Sequence, residues 1–379
     1  MSDESVELQR SDAAQVPQAE EPVEDVDEES EVVPYRYSIT SYGADYPVDS
    51  LVKRISSGDI VVPTFDPDAS SGDEVQGFQR RFVWTKTQCD RFIESLLLGL
   101  PVPGIFLVKQ RDGVLLVLDG QQRLRTLQAF YGGVLKGKEF CLVNVQDNYR
   151  NLTYRTLDAE DRRRLDDSII HATIIRQDEP AEDQSSVYLI FERLNTGGTT
   201  LHPQEIRVAL YRGQFLHLLR ELNDYQSWRR LYGKKSDRLK DHELILRFFA
   251  LFFWQDKYAR PMKDFLNCYM GANRQCKLHD QTKLRDLFTR TTDIVLESLG
   301  DRAFRLKNAL NAAVLDSVMV GVAHRLQLRP VSDTQHLHQI YLSLLETEAY
   351  RAAVEKATAD EENVRTRVNL AKEKFSEVR

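Results

Sequence analysis

Residues 114–127 read VLLVLDGQQRLRTL, and the change of period inside that run decides the fold class. Val114 to Leu118 is an unbroken apolar run of strand length, and it is preceded by a second run, Gly104 to Val108. Arg111-Asp112-Gly113 joins the two, and an Asp-Gly between apolar runs signals a hairpin. After Asp119-Gly120 the pattern becomes helical, with Leu124, Leu127 and Phe130 on one face. A strand therefore runs directly into a helix.

Such a corner suits phosphate. The strand delivers the Asp119 carboxylate at its C-terminal end, and Gly120 lets the backbone turn tightly or approach a ligand closely. The first helical turn offers unpaired N–H groups and the positive end of the dipole. Arg123 adds a planar fork for bidentate phosphate contact, while Gln121 and Gln122 can orient a base, a sugar hydroxyl or an attacking water. The plainer alternative is a helix N-capped by Asp119 with solvated glutamines behind it. Taken as an isolated pentapeptide, the plainer alternative is favoured.

Strands gather in the first half of the chain. Asp59 to Pro63 reads as a strand, as do Glu139 to Val143 and Ile169 to Ile175. Between the first of these and the hairpin lie a Gly/Ser/Asp-rich loop, Asp66 to Gly77, and the segment FQRRFVW from Phe78 to Trp84. Thr85 is placed to cap a helix carrying Cys89, Phe92, Ile93, Leu96 and Leu97. Beyond residue 185 helices dominate: 185–193, 203–211, 241–254, 283–299, 309–326, 334–345 and a highly charged 360–378, expected at the surface or against a partner. Strands first and helices afterwards give an α+β domain followed by an α-helical one.

Charge is distributed unevenly. The net charge is -7, yet residues 1–33 hold twelve Asp/Glu against Arg10 alone, leaving 46 acids and 50 Lys/Arg in the rest. A mildly basic body carries an acidic tail, expected to be disordered, and a competition between that tail and nucleic acid is a further expectation. No apolar run approaches the roughly 20 residues of a membrane span, and no secretory leader is visible, so a cytoplasmic location is expected. The four cysteines form no CxxC pair and read as reduced, buried thiols; Cys268, Cys276 and His279 fit no zinc spacing.

Companions sharpen the reading of the corner. Gln79, Arg80 and Arg81 stand among Phe78, Phe82 and Trp84, where cation–aromatic packing is the plain explanation. Arg193-Leu194-Asn195-Thr196-Gly197-Gly198-Thr199 closes a helix, for which a left-handed glycine cap suffices. Glu205-Ile206-Arg207 follows as an exposed helix pair on the same reading. Together, however, FQRRFVW, IESLLLGLPVP, LDGQQRLRTL, FERLNTGGTTLHPQEIR and DHELILRFFAL closely resemble the GmrSD N-terminal domain family, in order, over roughly residues 50–260. One departure is the insertion of Asp66 to Gly77 between Val61-Val62-Pro63 and Gln79-Arg80.

The resemblance implies a ParB/sulfiredoxin-like nucleotide-binding fold and a role for the DGQQR motif in NTP binding and hydrolysis, within DNA-modification-dependent restriction and phage defence. Carried over by position, it assigns Gln79, Arg80, Gly120, Gln121, Arg123, Asn195, Thr196 and Gly197 to nucleotide binding. Asp119, Gln122 and Arg123 would act in catalysis, with Asp119 holding Mg²⁺, because a carboxylate beside polyphosphate is repulsive without a metal. The units expected are an acidic tail (1–34), the ParB/sulfiredoxin-like domain (35–205) and a helical domain (206–379). No His-Asn-His nuclease context surrounds His242, His279, His324, His336 or His338, so no intrinsic nuclease is expected. DNA, or a separate nuclease subunit, is an expected partner. Gly132 to Lys138 mimics a P-loop, but Glu139 replaces its hydroxyl and the element order is reversed.

Overall fold

The computed structural model describes residues 38–63, 84–110, 112–179, 185–194 and 202–378, with the pair Val23–Glu24. That pair, β1 (Val23–Glu24), lies parallel to Leu310–Asn311. The main sheet is mixed and has five strands in the order β2 (Ser38–Pro47), β8 (Ile169–Glu179), β4 (Ile105–Lys109), β5 (Leu115–Asp119), β3 (Ile60–Val61). β4 and β5 form the expected hairpin, with Leu107 opposite Val117. At its turn Gly113 has φ 86°, and Asp112 Oδ1 accepts from Val114 N at 3.1 Å. β3 runs parallel to β5, β4 parallel to β8, and β2 antiparallel to β8.

Both faces of the sheet centre are covered. Ile105, Leu107, Leu115, Val117, Ala172 and Ile174 pack on α1 (Val48–Ser57), α2 (Lys86–Leu97) and α3 (Gln121–Gly132). Thr85 caps α2 in a reciprocal capping box with Gln88. Val108, Leu116, Leu118 and Ile175 face the other way, into a core shared with α5 (Ser185–Leu194) and α6 (Pro203–Leu210) and continuous with the later helices. The expected boundary at 205/206 falls inside α6. The architecture is α+β with a C-terminal helical region.

Several details differ from expectation for identifiable reasons. The strand expected at 139–143 reduces to the β6–β7 hairpin, Val134–Leu135 with Lys138–Glu139, which also occupies the P-loop mimic. Its neighbours bond elsewhere: Leu142 N donates to Leu152 O, and the buried Asp90 of α2 accepts from Val143 N, Asn144 N and Asn144 Nδ2. Of the cysteines only Cys89 is buried; Cys268 is exposed, and Cys141 and Cys276 are intermediate. After α4 (Ala159–Asp167), the helical region adds α7 (Gln214–Asn223), α8 (Gln226–Tyr232), α9 (Lys240–Trp254), α10 (Met262–Ala272) and α11 (Gln281–Leu299). It closes with β9 (Leu310–Asn311), α12 (Ala312–Leu328), α13 (Thr334–Glu346), α14 (Glu348–Glu355) and α15 (Glu361–Ser376). Charged α15 packs inside the chain, burying Val364, Val368, Ala371 and Phe375 against α12, where Gly321 permits close approach.

α9 is the axis of this region and is buried from Asp241 to Phe252. Its charges are matched one by one: Asp241 with Arg229 at 3.1 Å, Glu243 with Arg207 at 2.6 Å, Arg247 with Asp316 at 2.7 Å. Asp316 also receives Arg367 of α15 at 3.3 Å. Pairing is what makes such burial tolerable, since removing one partner strands a charge at a cost of about 3–5 kcal/mol. His242 is the contrast. It is buried, and neither ring nitrogen has a hydrogen-bond partner among the described residues. Burial pushes its pKa from 6.5 down to about 4. The unfolded chain therefore takes up a proton that the native state refuses, and stability present above pH 6.5 is lost as pH falls toward 4, by on the order of 3 kcal/mol at the limit. Urea unfolding at pH 7.5 and 5.0 checks this: His242→Phe is expected to lose less stability over the interval than the parent, and an equal loss would refute the assignment.

Candidate functional site

β5 ends at Asp119, and Gly120 (φ 93°, ψ 10°) turns the chain into α3. The left-handed conformation favours glycine, and space demands it as well, because a Cβ there would run into Ile105 Cγ2. Gly120 is the N-cap and supplies no side-chain hydrogen bond, so Asp119 does not cap the helix. Its carboxylate is instead held by Arg123: Nη2 donates to Asp119 Oδ2 at 2.9 Å and to Gly104 O at 2.9 Å. The Asp119 side chain is 47% exposed and that of Arg123 only 14%. One guanidinium thus ties the end of β5 to the approach of β4 and leaves the carboxylate facing outward. Arg123 Nε is buried without a hydrogen-bond partner among the described residues.

The glutamines divide their work. Gln121 is half-buried in the first turn. Gln122 Oε1 accepts from Trp84 N at 3.3 Å. Further along α3, Arg125 is buried and donates through Nη2 to Pro63 O. Burial, then the nearby Arg212 charge, push the Arg125 pKa down to about 10, so it stays cationic at neutral pH. Pro63 and Trp84 flank residues 64–83, and side chains of one helix hold both flanks. Sequence reasoning missed Arg125; its only signal was a charge on the apolar side of the helical pattern.

Gln79, Arg80, Asn195, Thr196 and Gly197 lie outside the described residues. What brackets the last three is described. α5 ends at Leu194, and α6 begins behind His202, whose ring accepts from Gln204 N while Glu205 accepts from His202 N at 2.7 Å. Glu205 and Arg207 are buried, contrary to an exposed pair. Glu205 takes Arg238 at 3.1 Å; Arg207 reaches Glu243, Asn267 Oδ1 and Gln204 Oε1. Burial opposes ionisation of Glu243, but the Arg207 charge holds its carboxyl below the ordinary range.

Residues 64–212 match the family described as GmrSD restriction endonuclease, N-terminal domain. The chain carries a GmrSD N-terminal domain. No curated protein matches it. The domain assignment points to a component of a restriction system, and it encloses the corner, both undescribed site segments and α6. Among the described residues no three His, Cys, Asp or Glu side chains gather as a metal site, and no helix is long and apolar enough to cross a membrane. His279 stacks on Phe253 at 3.8 Å, and His324 packs on Phe252 at 4.5 Å with the rings tilted by 31°.

Gly120→Ala is expected to cost about 2–4 kcal/mol by chemical denaturation, from left-handed strain and from overpacking against Ile105. Gly99→Ala, with φ 69° and open space around the added methyl, isolates the strain alone and is expected to cost less. Equal losses would show that the Ile105 contact contributes nothing.

Proposed function

We propose that the GmrSD N-terminal domain of this chain binds a nucleoside triphosphate with Mg²⁺ at the Asp119–Arg123 corner and hydrolyses it, as part of a DNA-modification-dependent restriction or phage-defence system. The observation that carries the reading is the Arg123 clamp, which fixes a solvent-facing carboxylate beside a helix N-terminus, whose dipole favours anions. A single carboxylate suits Mg²⁺, which takes one or two protein carboxylates and completes its shell with phosphate oxygens and water. In this reading Asp119 holds the metal, the α3 N-terminus receives phosphate, and Gln121 and Gln122 orient the nucleotide or the attacking water. Arg80, four residues before the Trp84 anchor, and the segment Asn195 to Gly197 supply the remaining contacts. Cutting of DNA falls to a nuclease on another chain.

A second reading has an observation of its own. The segment from Asn195 to Gly197 is followed by α6, which Arg207 bonds to Glu243 of the helical axis. Nucleotide binding there would bias the helical region without turnover, as a switch.

Calorimetry with the four common NTPs, with and without Mg²⁺, combined with phosphate release, separates the cases. Hydrolysis is expected for at least one Mg·NTP, with turnover falling at least tenfold in Asp119→Asn and in Arg123→Ala. Binding without phosphate release would favour the switch. Absence of NTP binding would overturn both.

A further inference from the structure

The helical region carries a basic face built from two loops. Between α8 and α9 the chain reads RRLYGKKSDRLK over residues 229–240, and before β9 it reads DRAFRLK over 301–307. The loops are joined: Arg305 donates to Leu231 O and Tyr232 O, each at 2.8 Å. Three of the nine cations face carboxylates, Arg229 with Asp241, Lys235 with Asp224 and Arg238 with Glu205. Arg230, Lys234, Arg302 and Lys307 are exposed and take no ion-pair partner among the described residues. Asp237 and Asp301 are the acids within the two loops, so the excess is positive.

The second observation is where the acidic stretch touches the body. Val23 and Glu24 pair in parallel with Leu310 and Asn311, three residues beyond Lys307. Flanking this anchor, residues 20–29 read EEPVEDVDEE, with seven carboxylates and no cation. The backbone anchor therefore lies within the most acidic decapeptide of the sequence and pairs with a strand that starts three residues after the basic face. Charges tethered on one chain interact at high effective concentration, and a run of carboxylates complements a cluster of exposed cations without shape-specific contacts.

We infer that the basic face formed by residues 229–240 and 301–307 is a polyanion-docking surface whose resident occupant is the chain's own acidic stretch around β1. A nucleic-acid backbone must displace that stretch to bind, so the N-terminus acts as an intramolecular guard. The inference is independent of the corner at Asp119 and survives if that corner binds no nucleotide.

The test uses the full chain and a fluorescent 24-bp duplex at 50 mM salt. Replacing the seven acids of residues 20–29 by Asn or Gln is expected to tighten duplex binding at least tenfold. In a background of Arg230→Glu, Lys234→Glu, Arg302→Glu and Lys307→Glu, all exposed positions that should leave folding intact, the same replacement is expected to change affinity less than twofold. With the face restored, the salt slope should steepen by about 0.9 for each phosphate that the face neutralises. Carbodiimide coupling of the parent should join Lys234 or Lys307 to an acid in 20–29, and 0.5 M salt should abolish the product. No tightening, equal tightening in both backgrounds, or absence of the coupled product would overturn the inference.

Discussion

β5 has no polar face, and the rest of the structure follows from that. Leu115 and Val117 enter one core while Leu116 and Leu118 enter another, so the sheet must be covered on both sides. The cover on one side comes from α1 to α3, near in sequence; on the other it comes from α5, α6 and the helical region. The strand that carries Asp119 to the corner is therefore also the seam between the sheet and the C-terminal helices. A displacement of β5 cannot stay local, because apolar side chains on both sides close on it at interior packing density.

α3 inherits this central position. Its inner face, Leu124, Leu127 and Phe130, locks it to the sheet, and its polar residues then act from fixed positions. Arg123 grips β5 and the approach to β4, Gln122 grips Trp84, and Arg125 grips Pro63. Arginine suits the first task because one guanidinium nitrogen serves two acceptors there, and it suits both the first and the third because its charge survives burial. A helix N-terminus is built by the backbone alone; holding the chain on either side of it requires side chains of this reach.

Legibility in the sequence divided along physical lines. β4, β5 and the amphipathic helices were readable because an apolar period reports burial directly. β2, Ser38 to Pro47, was not: it is an edge strand, mostly exposed, and shows no alternation to detect. α4 offers one buried residue, Leu165, among charges. The strand-to-helix corner was legible in full, since the change of period marks it. Its internal wiring was not, because whether Asp119 caps the helix or pairs with Arg123 depends on the φ of Gly120, which composition does not encode.

Charge was the systematic source of misreading, and α6 shows why. Glu205 and Arg207 looked solvated because isolated charges avoid interiors, yet both are buried. A buried ion pair adds little net stability over an apolar substitute, but it is exacting about geometry, since a shift that separates the partners leaves two desolvated charges. Arg207 meets Glu243 only when α6 and α9 keep one relative position, and Arg247 and Arg367 meet Asp316 only when α9, α12 and α15 do. Apolar contacts alone would let these helices slide at small cost. The paired charges convert a set of greasy contacts into a single register, and they extend that register from the segment beside Asn195 to the last helix of the chain. A shift of any one of α6, α9, α12 or α15 along its neighbour would therefore break an ion pair as well as an apolar contact.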